Sequence, residues 1–223
     1  MFKAIIIGGT GATGKQLLIQ LIRNQNCELV TSIGRRSALD GEKNDKLVDI
    51  VVESLFKLTS TENYWKDNDV FFNCIGTTRQ RAGGAKEFIN IESGISNEAA
   101  KMAANAKIPH ASLISAKGAN HKIWAKDWIH PLLYMKTIGQ KEQTITSKFS
   151  FNSVSIFKPG MLIRLRGKQT WFEDFSELKG FGLRVDTLAS AMIHDAKRVR
   201  NGLVGKSPQY FIGNNHIKSS LEL

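Results

Sequence analysis

The chain is poor in cysteine: its 223 residues include two, Cys27 and Cys74, with no CxxC pair and no Cys/His ligand cluster. That excludes a disulfide framework and a zinc module. A lone thiol inside an apolar run such as Val70 to Ile75 reads as a small buried side chain in a reducing, intracellular setting. Long hydrophobic runs are missing as well. Stretches such as Ala4 to Ile7 fall far short of the about 20 residues a membrane helix needs, so no transmembrane segment is expected. The strand-like run begins at Phe2, leaving no room ahead of it for a charged n-region, an h-region or an amphipathic presequence. Any address is expected to be internal or absent, with the cytoplasm or the mitochondrion as the compartment. No Arg/Lys tract and no finger-like or RRM-like motif occurs, so specific nucleic-acid binding is not expected. Five histidines, His110, His121, His130, His194 and His216, show no HExxH or other ligand spacing, so no metal is expected either.

Acidic excess is the remaining absence, the formal net charge being +11. Residues 1–80 hold ten basic and nine acidic side chains, so +10 of that charge lies in residues 81–223. Such a basic C-terminal part would be drawn, in a salt-dependent way, to a protein partner or an anionic surface. Scattered solvated lysines are the commoner explanation. What the chain does have is a 42% hydrophobic content, and at this length roughly 70% of the unfolded surface is buried on folding, so no metal or disulfide is needed to hold it.

Hydrophobic periodicity then predicts the elements. Lys3 to Gly8 is a short β-branched strand, and Leu17, Leu18, Leu21 and Ile22 recur at helical spacing within Gly11 to Arg23. Further strands are predicted at Glu28 to Gly34, Leu47 to Val52, Asp69 to Gly76, His110 to Ser115 and Asn152 to Phe157. A short helical piece falls at Thr61 to Lys66, and longer helices at Ala85 to Ala106, Leu132 to Lys148 and Asp186 to Arg200, the last capped by Asp186. The pattern lapses from Met161 to Leu183. Alternating strands and helices require crossover connections, hence a mostly parallel, doubly wound α/β sheet with helices on both faces. No linker or repeat interrupts residues 1–223, which predicts one domain with a short substrate or docking region from about residue 161.

Between the first strand and helix lies GGTGATG, residues 8–14. Gly8 allows a sharp turn off the strand, Gly11 lets a backbone approach a pyrophosphate, and Gly14 lets helix and strand pack closely. The helix N-terminus behind Thr10, Ala12 and Thr13 offers unpaired N–H groups to that pyrophosphate. Following the first strand of a βαβ series, this is the dinucleotide-binding turn of a Rossmann-type fold. About 20 residues on, where an NAD binder places an acid for the ribose hydroxyls, the chain reads Ile33-Gly34-Arg35-Arg36. Two guanidinium forks suit a 2′-phosphate, which selects NADP(H); a solvated basic turn is the alternative.

Five segments, GGTGATGKQLL (8–18), SIGRR (32–36), CIGTTR (74–79), ISAKGA (114–119) and FKPGML (157–162), resemble in order the atypical short-chain dehydrogenase/reductases, and within them the Tat-interacting-protein-like oxidoreductases. The resemblance implies that Gly76 and Thr77 line the cofactor behind the fourth strand and that Pro159 and Gly160 close over its nicotinamide side. It also implies catalysis by a Tyr with a Lys four residues later, helped by a Ser. Four helical residues advance about 400° and about 6 Å, placing an ammonium on the tyrosine's face, where it holds the ribose and lowers the phenol pKa.

The chain departs from that pattern. Tyr134 is the candidate by context, with Gly139 and Glu142 in the family's places and Ser115 as the helper, but Ile138 occupies the lysine's position. Lys136 points away at about 200°, and Lys141 shares the face but lies roughly 10 Å along the axis, so neither is expected to substitute well, provided the segment is regular helix despite Pro131. The second hydroxyl after strand five is replaced by Ala116. His130, four residues before Tyr134, offers a proton relay or is a plain surface histidine. Trp124 and Trp128, spaced i, i+4 in an added stretch, are expected either to anchor a partner or membrane surface or to fold over the substrate mouth. The cofactor apparatus thus reads as intact and the proton-transfer apparatus as damaged. The first expectation is an NADP(H)-binding protein with a degenerate active site, a structural or regulatory accessory of a larger assembly. The alternative is an active NADPH-dependent carbonyl reductase using Tyr134 and Ser115.

Overall fold

The β-branched run at the N-terminus becomes an interior strand of the main sheet in a computed structural model that describes residues 1–126, 130–165, 182–203, 205 and 207–222. In chain order the elements are β1 (Phe2–Ile7), α1 (Ala12–Arg23), β2 (Cys27–Gly34), β3 (Leu47–Val51), a 3-10 turn (Thr59–Tyr64), β4 (Val70–Asn73) and α2 (Arg79–Ala82). There follow α3 (Ala85–Ile89), a π turn (Asn90–Ile95), α4 (Ser96–Asn105), β5 (His110–Ile114), α5 (His130–Ser147), β6 (Ser153–Lys158) and β7 (Met161–Ile163). The last are β8 (Gly182–Arg184), α6 (Val185–Arg200), β9 (Gln209–Ile212) and α7 (Asn214–Ser219).

Seven strands form one parallel sheet in the order β3-β2-β1-β4-β5-β6-β9. Alternation along β1 sends Ala4 and Ile6 to one face, against Leu17, Leu18 and Leu21 of α1 and Leu188, Ala189 and Met192 of α6. Ile5 and Ile7 face the other side with Phe71, Leu113 and Ile156, covered by Ala99 and Ala103 of α4 and Ile145 of α5. Both faces are covered, which is why the strands read as continuous apolar runs. The expected doubly wound α/β architecture is the one observed.

Details differ from the sequence expectation. The helix expected over 85–106 is two α-helical pieces joined by the π turn, so its face rotates between Phe88 and Ala99. Pro131 does not kink the next helix, because it sits in the first turn, where its missing N–H has no helical partner to lose. Asp186 does not cap α6. Arg184 occupies the cap position, and the Asp186 carboxylate instead takes two hydrogen bonds from the Arg184 guanidinium, at 3.1 and 2.7 Å. Those bonds hold the Asp186 carboxyl below the usual carboxylate range. β7, β8 and β9 were not expected; β7 and β8 pair in parallel, and β9 extends the main sheet beside β6.

Candidate active-site cleft

The strand order reverses direction between β1 and β4, and a cleft opens there at the carboxyl ends of the strands. Two glycines of the 8–14 turn are dictated by its geometry. Gly8 has φ +88°, and a Cβ there would stand 2.7 Å from the Cys74 carbonyl. A Cβ on Gly14 would stand 2.1 Å from the Gly8 oxygen, so α1 approaches the turn too closely for any side chain. The Gly11 N–H bonds the Gly8 carbonyl at 2.9 Å, and Lys15 N–H bonds the Gly11 carbonyl at 2.8 Å. The amides of Ala12, Thr13 and Gly14 therefore open the helix with no carbonyl one turn back to accept them. Gly11 offers no side-chain cap, and the first turn carries no acid. Partial positive charge, bare backbone and no competing carboxylate fit a diphosphate.

Of the residues singled out from the sequence, Gly11, Ala12, Thr13, Gly76, Thr77, Ser115 and Tyr134 line this one cleft. Gly8, Thr10 and Gly14 shape its loop without lining it. Arg35 and Arg36 follow the last residue of β2 and are exposed, at the strand end where the sequence argument puts an adenosine phosphate. Beside them Asp49 of β3 is engaged by the Ser37 hydroxyl at 2.7 Å and the Ala38 N–H at 2.9 Å, so that carboxylate braces the turn. Pro159 and Gly160 are not brought to the cleft lining. The Pro159 carbonyl holds the Lys117 N–H at 2.7 Å, and the Gly160 N–H donates to Asn214 at 2.9 Å, while Leu162 of β7 faces the cleft in their stead.

The floor of the cleft is where sequence reasoning fell short. Ile138 lines it, 3% exposed, as an apolar group where the resemblance asks for a cation. Lys141 lines it too, so the axial offset does not keep it away from the cleft that Tyr134 also lines. Its ammonium is spoken for, however. It donates to the Ile75 carbonyl at 2.7 Å and to Glu92 Oε2 at 3.2 Å, and Glu92 Oε1 accepts the Thr77 N–H at 2.5 Å. Lys141 is 2% and Glu92 1% exposed. The pair straps α5 and the π turn to the 75–77 loop, and its charges cancel within the cleft wall.

Ser115 is likewise committed. Its hydroxyl donates to Glu142 Oε1, whose other oxygen accepts from Lys158 Nζ at 2.8 Å, and Lys158 also donates to the Ala119 carbonyl at 2.9 Å. A serine that polarises a carbonyl must aim its proton at that carbonyl; here the proton points at a carboxylate. Tyr134 stacks on Phe88, ring centroids 5.8 Å apart. Burial first, and then the Glu92 charge, push its phenol above the ordinary tyrosine value, while the Arg164 guanidinium pulls the other way. Tyr134 is therefore a neutral phenol near pH 7, able to give a proton and unable to take one. Any turnover relying on it should show no tyrosine ionisation between pH 6 and pH 9, a window that ends about one unit below the ordinary phenol value of about 10, above which Tyr134 is shifted further. An alkaline-rising rate would contradict this assignment.

Arg81 and Arg164 also line the cleft, and sequence reasoning did not single them out. Trp124 is 65% exposed in irregular chain, with Lys126 Nζ 5.7 Å from its ring. It is not on a helix, so the i, i+4 pairing does not place it on a helical face; Trp128 and the side chain of His130 lie outside the described residues. No described helix is long and apolar enough to cross a membrane.

No family model matches the chain. The protein named FMP52, mitochondrial, of Debaryomyces hansenii is 36% identical over 167 residues, covering 74% of this chain and 69% of that protein. HTATIP2 of Rattus norvegicus is 31% identical over 158 residues, covering 71% of this chain and 62% of its own length. Among solved structures, MoeE5 in complex with UDP-glucose and NAD superposes with a TM-score of 0.67 at 13% identity, covering 99% of this chain and 81% of that one, a likeness of fold.

Proposed function

Because the chain belongs to the FMP52 and HTATIP2 family of atypical short-chain dehydrogenase/reductases, we propose that it binds NADP(H) in this cleft and has lost most of its catalytic power. It would then persist as a cofactor-bound structural or regulatory component of a larger assembly. The fold shared with an NAD-bound structure and the unencumbered amides at Ala12, Thr13 and Gly14 support the nucleotide; Arg35 and Arg36 support its 2′-phosphate. Relatives named mitochondrial make the mitochondrion the favoured compartment.

The observation that carries the loss of catalysis is the fate of the lysine charge beside Tyr134: Ile138 has none and that of Lys141 is cancelled by Glu92, while the pull of Arg164 does not offset the burial that raises the phenol pKa. When bound, the nicotinamide supplies hydride chemistry. The chain's part in carbonyl reduction is to polarise the oxygen and deliver a proton to it. Ser115 has its donor turned to Glu142, and Tyr134 works without a neighbouring free ammonium. Expected results are a rise in melting temperature with NADPH and negligible NADPH oxidation across a panel of aldehydes and ketones. Steady turnover that disappears in Tyr134→Phe would instead establish an active reductase. That second reading is favoured by one feature, the protonated Tyr134 lining the same cleft as Ser115.

Cofactor choice has its own test. Charge-assisted hydrogen bonds are worth about 1.5–3 kcal/mol, so the Arg35→Ala/Arg36→Ala double variant should bind NADPH about tenfold or more weakly and NADH with unchanged affinity. Equal weakening of both nucleotides would mean that the arginines do not read the 2′-phosphate.

A further inference from the structure

Among the described residues the cleft wall is unbalanced in charge. Among its described lining residues are three cations, Arg81, Lys141 and Arg164, and one carboxylate, Glu92. Lys141 and Glu92 satisfy each other at 3.2 Å, which leaves two guanidiniums. Arg81 stands on α2, whose first turn is fixed by the Arg81 N–H donating to the Thr78 hydroxyl at 3.3 Å. Arg164 follows β7. Both are exposed, they come from distant parts of the chain, and they converge on the cleft that Tyr134 lines. Arg164 is close enough for its charge to be felt at the Tyr134 phenol.

We infer that Arg81 and Arg164 form an anion clamp at the mouth of the cleft, which takes a small ligand bearing a carboxylate or phosphate and holds it against Tyr134. Two planar forks suit both anions, since each offers paired donors matched to two oxygens. A cleft that focuses positive potential also speeds the arrival of such ligands, in a salt-dependent way. The inference rests on the reading that a nicotinamide nucleotide occupies the loop side of this cleft, and it adds the class of the second ligand.

The test compares matched probes on the NADPH-bound protein by calorimetry: benzoylformate, its methyl ester, and phenyl phosphate. The carbonyl is the same in the first two, and the charge is not. The clamp predicts that at least one anion binds about tenfold or more tighter than the ester, with an affinity that falls as salt rises. A preference between benzoylformate and phenyl phosphate tells carboxylate from phosphate. Arg164→Gln and Arg81→Gln should each weaken the favoured anion about tenfold while NADPH affinity stays within twofold. The clamp is overturned if the acid and the ester bind alike, if neither anion binds, or if the variants lose NADPH in the same measure, which would make the arginines cofactor ligands. Failure of NADPH itself to bind the parent protein would strike the underlying reading instead.

Discussion

Lys141→Met is expected to destabilise the protein by about 3–5 kcal/mol, the range for removing one member of a buried ion pair. The cost comes less from the lost attraction than from what remains. Glu92, 1% exposed, would keep a carboxylate in the cleft wall with the Thr77 N–H as its remaining partner, and the Ile75 carbonyl would lose its donor. A Glu92→Gln change on top of Lys141→Met removes the stranded charge while preserving an acceptor for Thr77, so the double variant should recover most of the loss. Urea unfolding of the two singles and the double measures this directly. Additive losses would show that the two side chains do not act as a pair.

Gly14→Ala is expected to cost about 3 kcal/mol, since overpacking against backbone, unlike a clash with a flexible side chain, finds no easy relief. The new methyl would stand 2.1 Å from the Gly8 oxygen and 3.1 Å from the Gly9 Cα, so α1 must withdraw from the turn. Withdrawal moves the three amides that would hold the proposed diphosphate. A hundredfold excess over the dissociation constant stabilises a binder by about 2.7 kcal/mol, and at that NADPH concentration the parent should show a clear thermal shift and Gly14→Ala none. Circular dichroism on the variant separates a lost site from a lost fold. Retained NADPH binding in Gly14→Ala would mean that the turn is not the grip.

How much of this was written in the sequence depends on the residue. The 8–14 turn was legible because glycine spacing answers a backbone constraint, and backbone constraints are local. The Tyr134 and Ile138 relation was legible because α5 is regular and periodicity places both on one face. The sequence expectation set Lys141 too far along the axis; a four-carbon side chain carries its ammonium to the cleft wall, where Glu92 pairs it. A usable signal was present: Glu92 falls in the apolar series Phe88, Ile95, Ala99, and Lys141 in the series Ile138, Ile145. An acid on one buried stripe and a base on another invite pairing. β7 and β8 were illegible because they span three residues each, too few for a period to declare itself. Arg81 and Arg164 come to one cleft only through the tertiary fold, and no local pattern marks them.

The wide turn at Asn90–Ile95 has a consequence for the helix that contains it. One residue more than an α-helix would use is spent there, so everything downstream is rotated by about 100° relative to an uninterrupted helix. Phe88 upstream thereby serves the tyrosine and Ala99 downstream serves the sheet, two tasks on different sides of a single rod. Excising a residue from that stretch would leave a smoother helix whose two halves no longer face their separate clients.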